Sequence, residues 1–248
     1  MERVMALADT PHRVFLRGTW PGQVSLRRGW ARAEARPWND AFDDAVLRLV
    51  RGGSGFIEAA VAKLRDLGAP TVLSSPLAPS ARTAWEAAGF VDHIDLALMR
   101  LSLLDSIEGP QHLVVKDDDY DLDQMLDIDR AAFPEFWRFD RPALVESTQA
   151  TTESKVFVIR DGDQGIAGFA VVGCGAAIAY LQRVAVHPTW QGQGMGRSLV
   201  RAAARSARRN GAKAMLLNTQ FENTAAISLY EAEGFVMLPE SLSVLKAG

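Results

Sequence analysis

The chain has 248 residues, 48% of them hydrophobic, and a formal net charge of −3. That is enough apolar material for one large or two small cores, and the mild acidity argues against a general nucleic-acid binder. A single cysteine, Cys174, excludes a disulfide framework and a cysteine-based zinc site.

Within residues 1–35, Val14-Phe15-Leu16 and Val24-Ser25-Leu26 read as short strands around the turn-forming Thr19-Trp20-Pro21-Gly22. Asn39-Asp40, followed by Ala45, Val46, Leu49 and Val50, predicts a capped helix over 39–50. Phe56 to Leu67 predicts a second helix with Ile57, Val61 and Leu64 on one face, ended by Gly68. Val72-Leu73 predicts a strand, Pro79 to Ala88 a helix, and Phe90 to Leu104 contains a strand. Asp105 to Gln111, with Gly109-Pro110, reads as a linker.

Elements resume at Leu113-Val114-Val115. Asp117, Asp118, Asp119 and Asp121 precede a helix up to Ala132, where acidic groups complement the helix dipole rather than bind metal. Pro134 breaks it, and Pro142 to Gln149 predicts the next helix. Val156–Arg160, Gly165–Cys174 and Ala177–Val186 predict three antiparallel strands, turning at Asp161-Gly162-Asp163 and Gly173-Cys174-Gly175. After the glycine-rich Gln191–Gly196 come a helix to Asn210, a strand over Ala214–Leu217, a helix over Asn223–Glu233, and two closing strands, Phe235–Met237 and Leu242–Leu245. No apolar run is long enough to span a membrane, and Met1-Glu2-Arg3 opens no signal peptide, so a soluble cytoplasmic protein is expected. His12, His93, His112 and His187 show no ligand spacing, and no metal is assigned.

Gln191-Gly192-Gln193-Gly194-Met195-Gly196 is the most informative stretch. A strand ends, the chain turns on glycines, and a helix starts with its first N–H groups unpaired, which makes an anion site. The third glycine comes too early for a dinucleotide fingerprint, and Gly196-Arg197-Ser198 lacks the lysine of a P-loop. A glycine turn that merely caps a helix is the plain alternative. There is also an internal echo: Ala84-Trp85-Glu86-Ala87-Ala88-Gly89-Phe90 parallels Leu229-Tyr230-Glu231-Ala232-Glu233-Gly234-Phe235.

The pattern Gln191-x-x-Gly194-x-Gly196 resembles the acyl-CoA loop of the GNAT N-acetyltransferases, and Asn223 to Phe235 is similar to that family's next motif. The closest branch is that of the N-terminal and ribosomal-protein alanine acetyltransferases. The resemblance implies an α/β (α+β) fold, a mixed and mostly antiparallel sheet flanked by helices, in two tandem copies. Residues 1–104 would be a degenerate copy, 105–112 the linker and 113–248 the complete domain.

It further implies acetyl-CoA as cosubstrate. The pyrophosphate would lie on Gln191, Gly192, Gln193, Gly194, Met195, Gly196 and Arg197, and the pantetheine arm along Val184, Ala185 and Val186, with Asn223 beside it or serving as an N-cap alone. Tyr230 would be the general acid toward the leaving thiolate. The first copy has Trp85 there, which cannot serve, though Gly53 and Gly55 leave CoA binding open. The family's glutamate base is matched by Asn218, with Tyr180, Gln182, Glu222 and His187 as poor substitutes, so a water relay is expected. Arg197, Arg201, Arg205 and Arg208 share a helix side, read as a solvated face, with Arg197 or Arg201 reaching a CoA phosphate as the sharper alternative. Phe133, Pro134, Phe136, Trp137 and Phe139 would gate the acceptor or pack structurally, and Glu135 and Arg138 would pair a charged one. The implied acceptor is a small-molecule amine or a protein N-terminus, with a homodimer left open. A catalytically silent CoA-binding module is the alternative.

Overall fold

Period-two patterning governs the first half of the chain more than expected. The computed structural model describes residues 13–162 and 165–248, so His12 and part of the Asp161-Gly162-Asp163 turn lie outside the described residues. Strands β1 (Phe15–Arg17), β2 (Val24–Arg28) and β3 (Ala31–Asn39) pair antiparallel in sequence order, with β4 (Phe42–Arg51) next to β3. The helix expected over 39–50 is therefore a strand. Ala45 and Leu47 are buried on one face and Arg48 is exposed on the other, an alternation that only an extended chain can use. Asn39 caps no helix: its Oδ1 accepts from the Ala41 N–H at 2.9 Å, which shapes a hairpin turn. Strand β3 was passed over because its inward residues, Ala31, Ala33 and Ala35, favour strands weakly, although they alternate with Arg32, Glu34 and Arg36.

The chain then forms α1 (Ser54–Asp66), β5 (Val72–Ser74) parallel to β4, a 3-10 turn at Pro79–Ala81, the short α2 (Thr83–Glu86) and β6 (Phe90–Ser102). The helix predicted over 79–88 is thus broken, with Pro79 opening the 3-10 turn. Next come β7 (Val115–Lys116), α3 (Leu122–Ala132) and α4 (Arg141–Gln149). Asp121 caps α3 by accepting the Asp123 and Gln124 N–H groups, and those bonds hold its carboxyl below the usual range. Strands β8 (Glu153–Asp161), β9 (Gly165–Cys174) and β10 (Ile178–Val186) follow as an antiparallel meander, then α5 (Met195–Arg209), β11 (Ala214–Gln220), α6 (Thr224–Ala232) and β12 (Val236–Ala247). The two closing strands expected at the end are one continuous strand.

The contacts group the chain into two units. The first holds the residues up to Trp38, Phe42–Ile94 and Ser243–Gly248; the second holds Asn39–Ala41 and Asp95–Leu242. The crossings fall inside β6 and β12, whereas the sequence reading placed its boundary at 105–112.

In the first unit the strand order is β1-β2-β3-β4-β5, then the last residues of β12, then the start of β6. Lys246 of β12 pairs with Leu73, and the Leu245 N–H donates to the Ser74 Oγ at 2.8 Å. Helix α1 buries Phe56, Ile57, Ala60, Val61 and Leu64 against this sheet. In the second unit the order is β7-β8-β9-β10-β11, then Asp95–Ser102 of β6, then the first part of β12. Leu96 to Ser102 pair antiparallel with the whole of β11. Helix α5 packs Leu199, Ala203 and Ala207 on one face of this sheet, while α3 and α4 cover the other with Met125, Ile128 and Leu144.

The echoing segments share local geometry. Trp85 meets Phe90 at 4.9 Å between ring centroids, and Tyr230 meets Phe235 at 5.6 Å. Gly89 and Gly234 take φ of +82° and +86°, and Gly68 and Gly211 take +97° and +90° where α1 and α5 stop.

Candidate functional site

Two strands that start together and then part create the opening. Strand β10 pairs in parallel with β11 only at Ile178–Tyr180 with Ala214–Leu216. Beyond that, β11 bonds only to β6, and the Leu181–Val186 stretch of β10 bonds only to β9, after a register shift between Leu181 and Arg183. The His187 N–H donates to the Ala167 carbonyl at 2.9 Å, so the peptide groups of Ala185 also turn toward β9. By the same alternation Val184 and Val186 turn theirs into the gap. These are edge groups available to a ligand that adds as a strand. The Val186 carbonyl is already in use, accepting from Gln191 Nε2 at 2.9 Å, which ties the coming loop to the strand.

The strand stops at Pro188, where a 3-10 turn, Pro188–Trp190, begins with His187 Nδ1 accepting the Thr189 N–H. Gly192 and Gly194 then take φ of +76° and +81°, which only glycine adopts without strain. Gly196 is needed for space instead: a Cβ there would lie 3.3 Å from Leu229 Cδ2 and 3.9 Å from Val186 Cγ2. Gly194 is the N-cap of α5 and has no side chain to occupy the helix end. Among the described residues, the main-chain N–H groups of residues 192–197 donate to no protein acceptor. Six unpaired amides in sequence at a helix N-terminus form a concave donor array suited to a phosphate-like anion.

Tyr230, on α6, packs half-buried against the same core cluster as Met195, Leu199 and Val184. A Cβ built on Gly196 would lie 3.3 Å from Leu229 Cδ2, so the residue before Tyr230 in α6 closes on the first turn of α5. The Tyr230 hydroxyl has no partner among the described residues. Burial pushes its pKa up to about 12 by disfavouring the phenolate, with the Arg183 cation opposing. The phenol is therefore protonated throughout the physiological range. Asn223 Oδ1 accepts the Ala226 N–H at 3.2 Å, so its capping role is real, and its amide nitrogen stays available.

A charged cluster that the sequence reading missed lies on the α3 side. Arg183 donates from Nε and Nη2 to both Asp129 oxygens at 2.6 and 2.8 Å, and from Nη2 to the Trp137 carbonyl at 2.9 Å. Its guanidinium lies 3.5 Å from the Phe133 ring centroid and 3.9 Å from that of Phe139. Asp129 is wholly buried and also accepts the Phe139 N–H at 2.6 Å. Phe133 and Phe139 are thus the walls of a buried ion pair. Arg138 is taken by Asp40 at 3.2 Å, and Asn39 Nδ2 bonds the Glu135 carbonyl at 2.9 Å, so this segment is braced by the β3–β4 turn.

The arginine row of α5 lies on an exposed side of the helix and also makes specific bonds. Arg201 forks onto Glu233 and also pairs with Glu108; Arg205 donates to the Ile107 carbonyl at 2.7 Å and Arg208 to the Leu103 carbonyl at 3.1 Å. Arg197 stands 2.9 Å from Glu233. Arg201, Arg205 and Arg208 fasten residues 103–109 to the helix, with Arg205 and Arg208 still exposed, while Arg197 reaches no residue of that segment. The supposed linker is a strap. Tyr180 and Asn218 are exposed, and Glu222 is an exposed residue whose carbonyl accepts the Thr224 N–H. No carboxylate stands on β11 beside Tyr230.

Residues 122–235 match the Acetyltransferase (GNAT) family model. Over 59 residues the chain is 36% identical to N-alpha-acetyltransferase 30 of Saccharomyces cerevisiae, which covers 24% of this chain and 34% of that protein. The chain thus spans about a third of the curated relative it matches. Among solved structures it is similar to a GCN5-related N-acetyltransferase from Sphaerobacter thermophilus, with TM-score 0.57, 18% identity, and 91% and 80% of the two chains covered. A tandem GNAT protein from the clavulanic acid biosynthesis pathway gives TM-score 0.59 at 14% identity, covering 91% and 82%. The matched span, residues 122–235, is a little under half of the chain. The solved neighbours share the fold: a large, mostly antiparallel sheet flanked by helices.

Proposed function

We propose that this protein is an acetyl-CoA-dependent N-acetyltransferase that passes an acetyl group to a primary amine by direct attack. The observation that carries the reading is the run of unpaired amides at residues 192–197, placed where β10 presents Val184 and Val186 to a gap in the sheet. A diphosphate fits the amides, and an amide-bearing arm fits the strand edge. The family match over residues 122–235 supports the same assignment.

In this reading the amine nitrogen attacks the thioester carbonyl and the C–S bond breaks. The Tyr230 hydroxyl gives its proton to the departing sulfur, the amine's proton leaves to water, since Asn218 cannot take it, and water returns a proton to the phenolate. No acyl-enzyme is invoked. Arg197 contributes its main-chain N–H; its guanidinium, 2.9 Å from Glu233, stays 41% exposed. We read residues 1–104 as a degenerate copy of the unit in 113–248, supported by the matched ring pairs and by the parallel β4–β5 and β10–β11 pairings. With Trp85 in place of Tyr230, that copy has no acid. The acceptor is a small-molecule amine or a protein N-terminus. A cytoplasmic location fits the absence, among the described residues, of a helix long and apolar enough to cross a membrane.

A second reading, a CoA-binding module without turnover, is favoured by Asn218 standing where a carboxylate base would serve. Thiol release from acetyl-CoA against a panel of amines separates the two, comparing wild type with Tyr230→Phe. Turnover that falls sharply in the variant supports the enzyme. CoA uptake with no turnover on any amine supports the module, and no CoA uptake by calorimetry removes both.

A further inference from the structure

We infer that His112 is a positioning residue for the phosphate-binding loop, an inference that rests on the CoA-binding reading above. His112 Nε2 lies 2.8 Å from the Gln193 carbonyl oxygen. A carbonyl only accepts, so the imidazole carries its proton on Nε2 and donates. The Gln193–Gly194 peptide is planar and trans, so its C=O and N–H point to opposite sides. Holding the carbonyl against His112 therefore aims the Gly194 N–H away from the strap, into the array of unpaired amides.

That peptide needs holding. Its far end is Gly194 at φ +81°, a residue with no side chain to resist the change of φ that a peptide flip needs. A flip would turn a carbonyl oxygen toward the anion and remove one donor. The histidine is itself fixed: the Gln111 and His112 N–H groups both donate to the Ser198 Oγ at 3.2 Å, in the first turn of α5. Behind it, Arg201 bonds the Gly109 carbonyl at 3.3 Å and Arg205 that of Ile107. A segment that the sequence presents as a spacer thus reaches the loop and sets the orientation of one peptide.

The test compares CoA with pantetheine, which lacks the diphosphate, by titration of the full chain. His112→Ala should weaken CoA binding about tenfold or more, the loss expected for one donor to a charged acceptor, and leave pantetheine unchanged. His112→Gln, which keeps an N–H donor within reach, should recover most of the affinity. In turnover, KM for acetyl-CoA should rise with kcat unchanged. Unaltered CoA affinity in His112→Ala, or an equal loss for both ligands, overturns this role while leaving wild-type CoA binding intact. A wild-type chain that takes up no CoA overturns the parent reading and this inference together.

Discussion

The Tyr230 phenol combines a free hydroxyl with a pKa pushed up to about 12. On the proposed acetyltransferase reading, replacing it with phenylalanine removes the proposed proton donor and little volume, so kcat should fall about a hundredfold, the lower range for general acid catalysis, with CoA affinity unchanged. Its ionisation gives an independent check. The folded pKa lies above the ordinary value near 10, so the stability that the neutral phenol contributes is complete below about pH 10 and is lost as pH rises toward 12. Thermal melts at pH 9 and pH 11.5 should show wild type losing more stability than Tyr230→Phe. The Asp129–Arg183 pair makes a third prediction. Removing one partner of a buried pair strands the other, so Asp129→Ala should cost about 3–5 kcal/mol in denaturant melts. Tyr230 was legible because it stands in a recognisable motif. Arg183 and Asp129 were not: they come from different elements, and neither sits in a pattern that marks it until the fold brings them within 2.6 Å.

At the scale of elements, glycines and arginines divide the labour. Gly194→Ala forces a side chain into the left-handed region, which should cost roughly 1–2 kcal/mol and weaken CoA binding, as calorimetry can measure. The double change Arg205→Ala with Arg208→Ala releases the two carbonyls of the strap, and limited proteolysis should then cut within residues 103–109 faster than in wild type. Most helices and the meander β8–β10 were readable from periodicity and caps. The misreadings have physical causes. Ala45, Val46, Leu49 and Val50 fit a helical spacing, yet the chain uses Ala45 and Leu47 at a strand spacing. Tertiary pairing decided between two patterns that one stretch satisfies. Arginines spaced along a helix show their exposure in the sequence but not the carbonyls they bind.

At the scale of the molecule, the two compact units exchange strands across the 105–112 segment, which the sequence reading did not foresee. Each unit completes its sheet with residues from the far side of the 105–112 segment, Asp95–Ser102 in one and Ser243–Gly248 in the other. The order of elements along the sequence gave no sign of this, since pairing partners are set by strand edges and not by order. A fragment of residues 113–248 would leave β11 with an open edge along Ala214–Gln220, where β6 belongs. It should aggregate or melt well below residues 95–248, as circular dichroism and light scattering would show. The same exchange bears on birth at the ribosome. Domains usually fold in the order they emerge, but here the sheet built from the earliest strands waits for a strip encoded by residues 243–248. Until translation delivers it, β5 lacks the partner that Lys246 supplies opposite Leu73.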